Sequence, residues 1–97
     1  MPKKRPPREI WREIRRAVWQ RDGGQCVRCQ TPLPLNKCHI DHIVPLSRGG
    51  ANEMTNLRTL CRGCHVLRAD NRHRGMIAWA LRLGIIPPNW REQVWED

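Results

Sequence analysis

The sequence predicts a small α+β domain with a thin hydrophobic core. Three observations favour this fold class: apolar residues at helical spacing towards both ends, a short run rich in β-branched residues in the middle, and two Cys-x-x-Cys pairs that enclose this run. A chain of 97 residues buries a limited core, and proteins of this size often depend on a disulfide or a bound metal. We therefore expect the cysteines to form a crosslink.

The N-terminal part predicts a basic tail followed by an amphipathic helix. Residues 1–7 combine three prolines with three cations and are expected to be flexible. From about Arg8 to Gln20, the apolar residues recur at helical spacing and form one face: Ile10, Trp11, Ile14, Ala17 and Val18. The glycines of Asp22-Gly23-Gly24 are expected to end this helix. We expect residues 8–97 to form a single domain, with the five tryptophans covering its core.

The rest of the chain predicts short strands and further helices. The apolar residues within 37–46 indicate two short strands around a bend, followed by an irregular connector at 52–60. A helix is expected from Cys61 to about Asn71, and another from about Arg74 to Leu83. Asn89 and the glutamate three residues later are typical of a helix start, which predicts a last short helix to about Trp95.

Two cysteine pairs, Cys26-x-x-Cys29 and Cys61-x-x-Cys64, predict a structural zinc site. Four thiolates satisfy a tetrahedral zinc ion and leave no open position for substrate. The N-terminus has no apolar segment typical of a signal peptide, and no run is long enough to cross a membrane. We therefore expect an intracellular protein with zinc rather than disulfides. Cys38 is interpreted as a packing residue, with zinc ligation as the alternative.

The net charge predicts a polyanionic partner. Eighteen Lys and Arg against nine Asp and Glu give a formal charge of +9 and a pI near 10.7. Nucleic acid fits this charge better than a membrane surface does, and a merely basic surface is the alternative. Besides the cations of the tail, the residues expected to contact phosphates are Arg48, Arg68, Arg72 and Arg74. His73 lies among these arginines and is expected to face solvent or DNA.

The consecutive residues Asp41 and His42 have the chemistry that phosphodiester hydrolysis needs. A histidine can remove the proton of an attacking water, and a carboxylate can hold a divalent ion that stabilises charge on the phosphate. We interpret His42 as the base and Asp41 as the metal ligand. His65 can complete the ligands of this ion, and the amide of Asn56 can brace the loop that carries His42 by bonding its backbone.

Strand geometry leaves alternatives open for these roles. Successive side chains of a strand point to opposite faces, so Asp41 and His42 reach one phosphate together only if the chain bends or bulges. His39 and Asp41 share a face and are an alternative metal pair. His39 is therefore an auxiliary ligand or phosphate contact, or a plain strand residue. His65, next to Cys64, has zinc ligation as its alternative role.

The motifs together resemble the zinc-bearing members of the HNH endonuclease family. The residues that carry the resemblance are Arg21-Asp22-Gly23-Gly24-Gln25-Cys26-x-x-Cys29, Asp41-His42-Ile43-Val44-Pro45-Leu46-x-x-Gly49-Gly50 and Asn56-Leu57-x-x-Leu60-Cys61-x-x-Cys64-His65. The resemblance implies a ββα-metal, treble-clef-like core at about 21–71 and a C-terminal helical extension at 74–97. It implies that His42 is the general base, that Asp41 and His65 bind Mg²⁺, Mn²⁺ or another divalent ion, and that Asn56 orients the base.

The function that the resemblance implies is hydrolysis of DNA phosphodiester bonds. Some zinc-bearing members are encoded by phages beside DNA-packaging genes, so a larger packaging or nuclease subunit is a candidate partner for the C-terminal helices. We expect a monomer or weak dimer. The alternative is an inactive, zinc-stabilised module that only binds nucleic acid. Such a module needs the four cysteines but has no use for the reactive side chains of Asp41, His42, Asn56 and His65.

Overall fold

A computed structural model describes residues 6–68 and 74–95, except the side chain of Arg74, and these residues contain three α-helices and one two-stranded sheet. The helices and strands are α1 (Arg8–Arg21), β1 (His39–His42), β2 (Leu57–Leu60), α2 (Arg62–Leu67) and α3 (Arg74–Arg82). Short 3-10 helices lie at Leu35–Lys37, Leu46–Arg48, Met54–Asn56 and Trp90–Gln93. None of the described helices is long and apolar enough to cross a bilayer. The chain divides into two compact units, residues 1–61 and 62–97.

Helix α1 forms where the sequence predicted it and packs on the sheet of the first unit. Val18 on its apolar face is fully buried with Cys38, Ile40 and Leu57, and partly buried apolar residues surround this cluster: Trp11, Ile14, Trp19, Leu33 and Leu35. The helix ends at two glycines with positive φ, as expected from the sequence. The single apolar face of α1 therefore covers one side of the small sheet.

The position of the second strand differs from the sequence-based expectation. Residues 37–46 contain one strand, β1, and the second strand is β2, within the segment predicted as a connector. The two strands are antiparallel, with His39 opposite Leu60 and His42 opposite Leu57. Pairing ends at His42: the N–H of Val44 donates to the side chain of Asn56, and Pro45 has no N–H for a ladder. Ile43 and Val44 are exposed rather than packed in the core.

The second unit has its own apolar cluster, formed by α2, α3 and the segment after α3. Its buried residues are Val66, Leu67, Ile77, Ala80 and Ile86, with Ile85, Trp90 and Trp95 packed against them. The indole N–H of Trp95 donates to the backbone oxygen of Cys64 at 2.7 Å. Trp79 does not cover this core, because it is 51% exposed under the guanidinium of Arg62.

Two helices of this unit differ from the helices predicted from the sequence. The last helix is a 3-10 turn at Trp90–Gln93, without the expected capping bond to the backbone, and the Asn89 amide donates to the Glu92 carboxylate instead. Helix α2 ends at Leu67, earlier than the predicted end at about Asn71, because Arg68 is outside the helix in a β-bridge with Trp95. Asn71 itself lies outside the described residues.

The carboxylate of Asp22 joins the end of α1 to β2. Its Oδ2 accepts the backbone N–H of Thr59 at 2.8 Å, and its Oδ1 accepts Nε of Arg21 at 2.9 Å. Burial acts to raise the pKa of Asp22, but the hydrogen bonds from Arg21 and the Thr59 backbone outweigh it, so the pKa lies below its ordinary value. Folding therefore favours the ionised form.

Asp22→Asn is expected to lower stability at neutral pH, with a deficit that shrinks in acid. A lowered pKa stabilises the fold fully above the ordinary pKa of Asp, and this contribution is lost as pH falls through the folded-state value. Thermal unfolding of both proteins across this range, with excess zinc present, measures the deficit. Glu53→Gln, at an exposed carboxylate, is the control. A deficit that stays constant with pH would contradict the assignment.

Candidate functional site

The four cysteines of the two pairs lie together. The sulfurs of Cys26, Cys29, Cys61 and Cys64 are all within 4.8 Å of one another. Cys29 and Cys61 have their sulfurs 3.7 Å apart, close to the roughly 3.8 Å edge of a zinc tetrahedron with bonds of about 2.3 Å. All four thiols are free of disulfides. The donor set and its spacing fit one structural zinc ion.

Backbone hydrogen bonds shape the turn that carries the first pair. The N–H of Cys26 donates to the oxygen of Thr31, the N–H of Gln30 donates to the oxygen of Cys26, and Gln30 takes a positive φ of 64°. The N–H of Val27 donates to the oxygen of Thr59 at 3.0 Å, which fixes the turn to β2. The turn is thus held in place by backbone contacts that do not depend on side-chain identity.

The pKa of the Cys29 thiol lies below its ordinary value, which favours the thiolate form that binds metal. Burial raises its pKa, but hydrogen bonds from the Thr31 hydroxyl and backbone, and those with Cys26 and Cys61, lower the pKa to about 6 overall. Because the thiolate is the ligand form, this shift favours metal binding at neutral pH.

Cys38 lies outside the cluster and is a core residue, as predicted. It is 4% exposed, and its thiol donates to the backbone oxygen of Leu35 at 3.2 Å. Burial raises the pKa of this thiol against the opposing charge of Arg15. Arg15 also donates to the backbone oxygen of Cys38 at 2.6 Å, which joins α1 to the start of β1.

Asp41 is buried in an ion pair across the sheet. The carboxylate is 2% exposed, and its Oδ2 accepts Nε of Arg58 at 2.9 Å. Arg58 is the residue directly opposite Asp41 in the antiparallel register. The charge of the predicted metal ligand is therefore balanced by a guanidinium of the same sheet.

His42 is the last residue of β1, and two side chains hold its ring. Its Nε2 lies 2.8 Å from Oδ1 of Asn52. The indole of Trp11 stacks on it, with ring centroids 5.7 Å apart and planes 4° from parallel. Neither partner was identified from the sequence as a contact of His42, because Trp11 is on α1 and Asn52 is in the loop between the strands.

Asn56 braces the loop that follows His42. Its Oδ1 accepts the N–H of Val44 at 2.8 Å, and its Nδ2 donates to the oxygens of Ala51 at 2.8 Å and Val44 at 3.1 Å. Its backbone oxygen accepts the N–H of Ile43 at 2.9 Å. The amide therefore ties both ends of the loop together, which is the contact that the sequence predicted, while its effect on the base stays a prediction.

The structure does not bring Asp41 and His42 to one face of the sheet. All four residues of β1 pair in register with β2, with no extra residue that would form a bulge. Asp41 therefore meets Arg58 on one face, whereas His42 meets Trp11 on the side of α1. His39 is on the face of Asp41 by this alternation, and His65 is on α2 in the second unit. Among the described residues, the cysteine cluster is the only group of three or more metal-ligating side chains close enough to hold an ion.

The arginines predicted to contact phosphates differ in their exposure to solvent. Arg48 is exposed in the loop after β1. Arg68 does not fit the prediction, because its side chain is 3% exposed and cannot present its charge to a phosphate. Arg72, His73 and the side chain of Arg74 lie outside the described part of the chain. Arg8, Arg12 and Arg16, which the sequence analysis did not select, are exposed at intervals of four along α1.

Gly50→Ala is expected to disrupt the loop after His42. A Cβ at Gly50 would lie 1.8 Å from the backbone oxygen of Val44, so this backbone must move. Because Asn56 bonds both groups of Val44, we expect a destabilisation of at least about 2 kcal/mol, measured by denaturant unfolding. Gly75→Ala, where a Cβ meets nothing within 4 Å, is the matched control. Equal stability of the two variants would contradict this interpretation.

Comparison with known proteins agrees with this arrangement. The sequence model of a family described as HNH endonuclease matches residues 26–71. A "Probable HNH endonuclease" of Lactococcus phage SK1 is 34% identical over 71 residues, which cover 67% of this chain and 74% of the phage protein. The order β1, β2, α2 with a four-cysteine cluster defines a small protein of the ββα-metal class. The chain belongs to the HNH endonuclease family.

Proposed function

We propose that this protein is a metal-dependent endonuclease that hydrolyses DNA phosphodiester bonds, with His42 as the general base. The observation that carries the proposal is the state of His42 at the end of β1, where a hydrogen bond and a ring stack hold the imidazole beside a braced loop. Contacts on two sides restrict the orientation of the imidazole, as a general base needs in order to direct one nitrogen at a water molecule. Family membership supports nuclease chemistry for it.

The proposed reaction begins with water held against His42. The imidazole takes one proton from the water, and the oxygen of this water forms a bond to phosphorus. The ester bond between phosphorus and the leaving oxygen breaks, and this oxygen takes a proton from solvent. The products are a phosphomonoester and a free hydroxyl. Asn56 acts indirectly, since it keeps the backbone after His42 in one conformation.

The divalent ion of the proposal would be held by Asp41 and His65. Carboxylate oxygen is a preferred ligand of Mg²⁺ and Mn²⁺, and imidazole nitrogen is accepted by Mn²⁺ and later transition metals, so the donor types fit. When bound, such an ion stabilises the charge that develops on the phosphate. The pairing of these two residues rests on the family motif.

Exposed arginines support DNA as the substrate. Arg8, Arg12 and Arg16 lie along one face of α1, the helix that also carries Trp11, and Arg48 lies in the loop after His42. Guanidinium groups contact phosphates in pairs of hydrogen bonds, without reading base sequence. Affinity from such contacts falls steeply with salt.

The experiment that tests the proposal is nicking of a supercoiled plasmid by the zinc-loaded protein. We expect relaxed circles when Mg²⁺ or Mn²⁺ is added, and none when a chelator weak enough to spare the zinc removes the added ion. Several divalent ions should be compared in parallel. If no divalent ion supports cleavage, the proposal that this protein is an endonuclease is wrong.

A second candidate function is a nucleic-acid-binding module without catalysis. The observation that favours it is the ion pair of Asp41 with Arg58, on the face opposite His42. Such a module would bind DNA in a salt-dependent way and would not cut it, whichever divalent ion is added. DNA-binding measurements on the same samples as the nicking assay separate the two functions.

We also propose that the protein acts inside a cell with a larger packaging or nuclease subunit, as a monomer or weak dimer. The phage source of the relative supports the setting. Met76 on α3 and Leu83, directly after this helix, are exposed, so apolar surface is present in the C-terminal unit for such a partner.

A further inference from the structure

His42 contacts Trp11 and Asn52, which are not among the motif residues Asp41, His42, Asn56 and His65. Trp11 lies on α1, outside the matched residues 26–71, and Asn52 lies in the loop between the strands. Their contacts act in different directions: the hydrogen bond to Asn52 lies at the edge of the imidazole, and the indole of Trp11 lies on its face. Together they restrict both the direction and the plane of the ring.

The contact with Asn52 determines which ring nitrogen carries the proton. Oδ1 of an amide accepts hydrogen bonds, so its 2.8 Å contact with Nε2 of His42 favours the tautomer in which Nε2 is the donor. In a neutral imidazole one nitrogen is protonated and the other has the lone pair. The lone pair of His42 is therefore on Nδ1.

The contact with Trp11 fixes the plane of the same ring. The two rings are 4° from parallel, so rotation of the imidazole about its bond to Cβ would push it against the indole. Trp11 is itself packed against the core cluster that includes Val18 and Ile40. The orientation of His42 is thus coupled to the packing of α1 on the sheet.

We propose that Asn52 and Trp11 are positioning residues for His42, which present Nδ1 as the nitrogen that takes the proton from water. This inference rests on the proposed function of His42 as the base. It adds that α1 contributes a residue to the catalytic site, although the family match begins after this helix. Asn52 sets the tautomer, and Trp11 sets the ring plane.

The tautomer is tested by nuclear magnetic resonance of the imidazole nitrogens in the zinc-loaded full chain, without DNA. At mildly alkaline pH we expect His42 to show the pattern of a proton on Nε2. Asn52→Leu, which removes the acceptor, is expected to give a mixture of tautomers, whereas Asn36→Leu at an exposed asparagine leaves the pattern unchanged. A proton on Nδ1 in the parent, or an unchanged pattern in Asn52→Leu, would overturn the role of Asn52. This readout needs no cleavage, so it separates the inference from the proposed function.

The role of Trp11 is tested by nicking with excess enzyme for the single-turnover rate, and by a DNA concentration series at low enzyme for KM. We expect Trp11→Leu to lower the rate by about 10–100-fold with little change in KM, and Trp11→Phe to recover most of it because a phenyl ring can stack on imidazole. Trp79→Leu, at an exposed tryptophan, is expected to match the parent. Asn52→Asp, which keeps an acceptor oxygen, is expected to exceed Asn52→Leu in rate. Equal rates for Trp11→Leu and Trp11→Phe, both confirmed as folded by thermal unfolding, would overturn the stacking role.

Discussion

Replacing His42 with alanine is expected to reduce plasmid nicking by at least about 10²-fold at every divalent-ion concentration. The reason is that removal of a general base leaves water to lose its proton unaided, and a positioned base contributes about 10²–10⁴-fold. The loss should fall on the rate at saturating enzyme and leave DNA affinity nearly unchanged, because the proposed phosphate contacts are arginines. Gel analysis of single-turnover nicking measures the rate, and filter binding measures the affinity.

The matched control for this variant is His39→Ala on the same strand. His39 is partly buried and shares the face of Asp41, so this variant changes a histidine without touching the stack on Trp11. We expect a much smaller loss than for His42→Ala, and a loss that added divalent ion restores if His39 is an auxiliary ligand. If His42→Ala cuts DNA as fast as the parent, the assignment of the base is wrong.

Replacing Cys61 with serine is expected to abolish the native fold. A structural zinc site contributes apparent binding free energy on the order of 10 kcal/mol, which equals or exceeds the whole stability of many small domains. The variant loses one of the four sulfurs that lie within 4.8 Å of one another, so a tetrahedral thiolate site cannot form. Metal analysis should find about one zinc per parent chain and little in the variant. Circular dichroism should show the loss of cooperative unfolding.

The control for the zinc site is Cys38→Ser. This substitution makes the same chemical change at a buried cysteine outside the cluster. Zinc content is expected to stay at the parent level, while the buried hydroxyl costs about 1–3 kcal/mol where its hydrogen bonds are incomplete. A strong chelator should unfold the parent and Cys38→Ser alike. Retention of zinc and cooperative unfolding by Cys61→Ser would show that the fold does not depend on this site.

The features predicted from the sequence are those with a local or spaced pattern. Helix α1 follows from an apolar stripe that ends at two glycines, and the cysteine cluster follows from paired spacing. The brace formed by Asn56 was also anticipated, because an amide near a loop has both a donor and an acceptor for the backbone. Each of these inferences used residues whose role depends little on the rest of the fold.

The features that were missed depend on pairing between distant segments. Strand β2 is a four-residue segment with little alternation of its own, and its identity as a strand comes from its register with β1. The ion pair between Asp41 and Arg58 follows from that register and was invisible without it. The contacts of Trp11 and Asn52 with His42 required the packing of α1 and the path of the loop, which no local pattern specifies.

In the proposed site, the guanidinium of Arg58 would link the affinity of Asp41 for a divalent ion to the integrity of the sheet. An ion bound through Oδ2 of Asp41 and the guanidinium of Arg58 compete for one oxygen, so each weakens the binding of the other by the same free energy. The ion-free protein therefore avoids a buried, uncompensated carboxylate, which would cost several kcal/mol. The affinity of the proposed site for its ion would consequently be a net quantity, reduced by the free energy needed to separate Asp41 from Arg58.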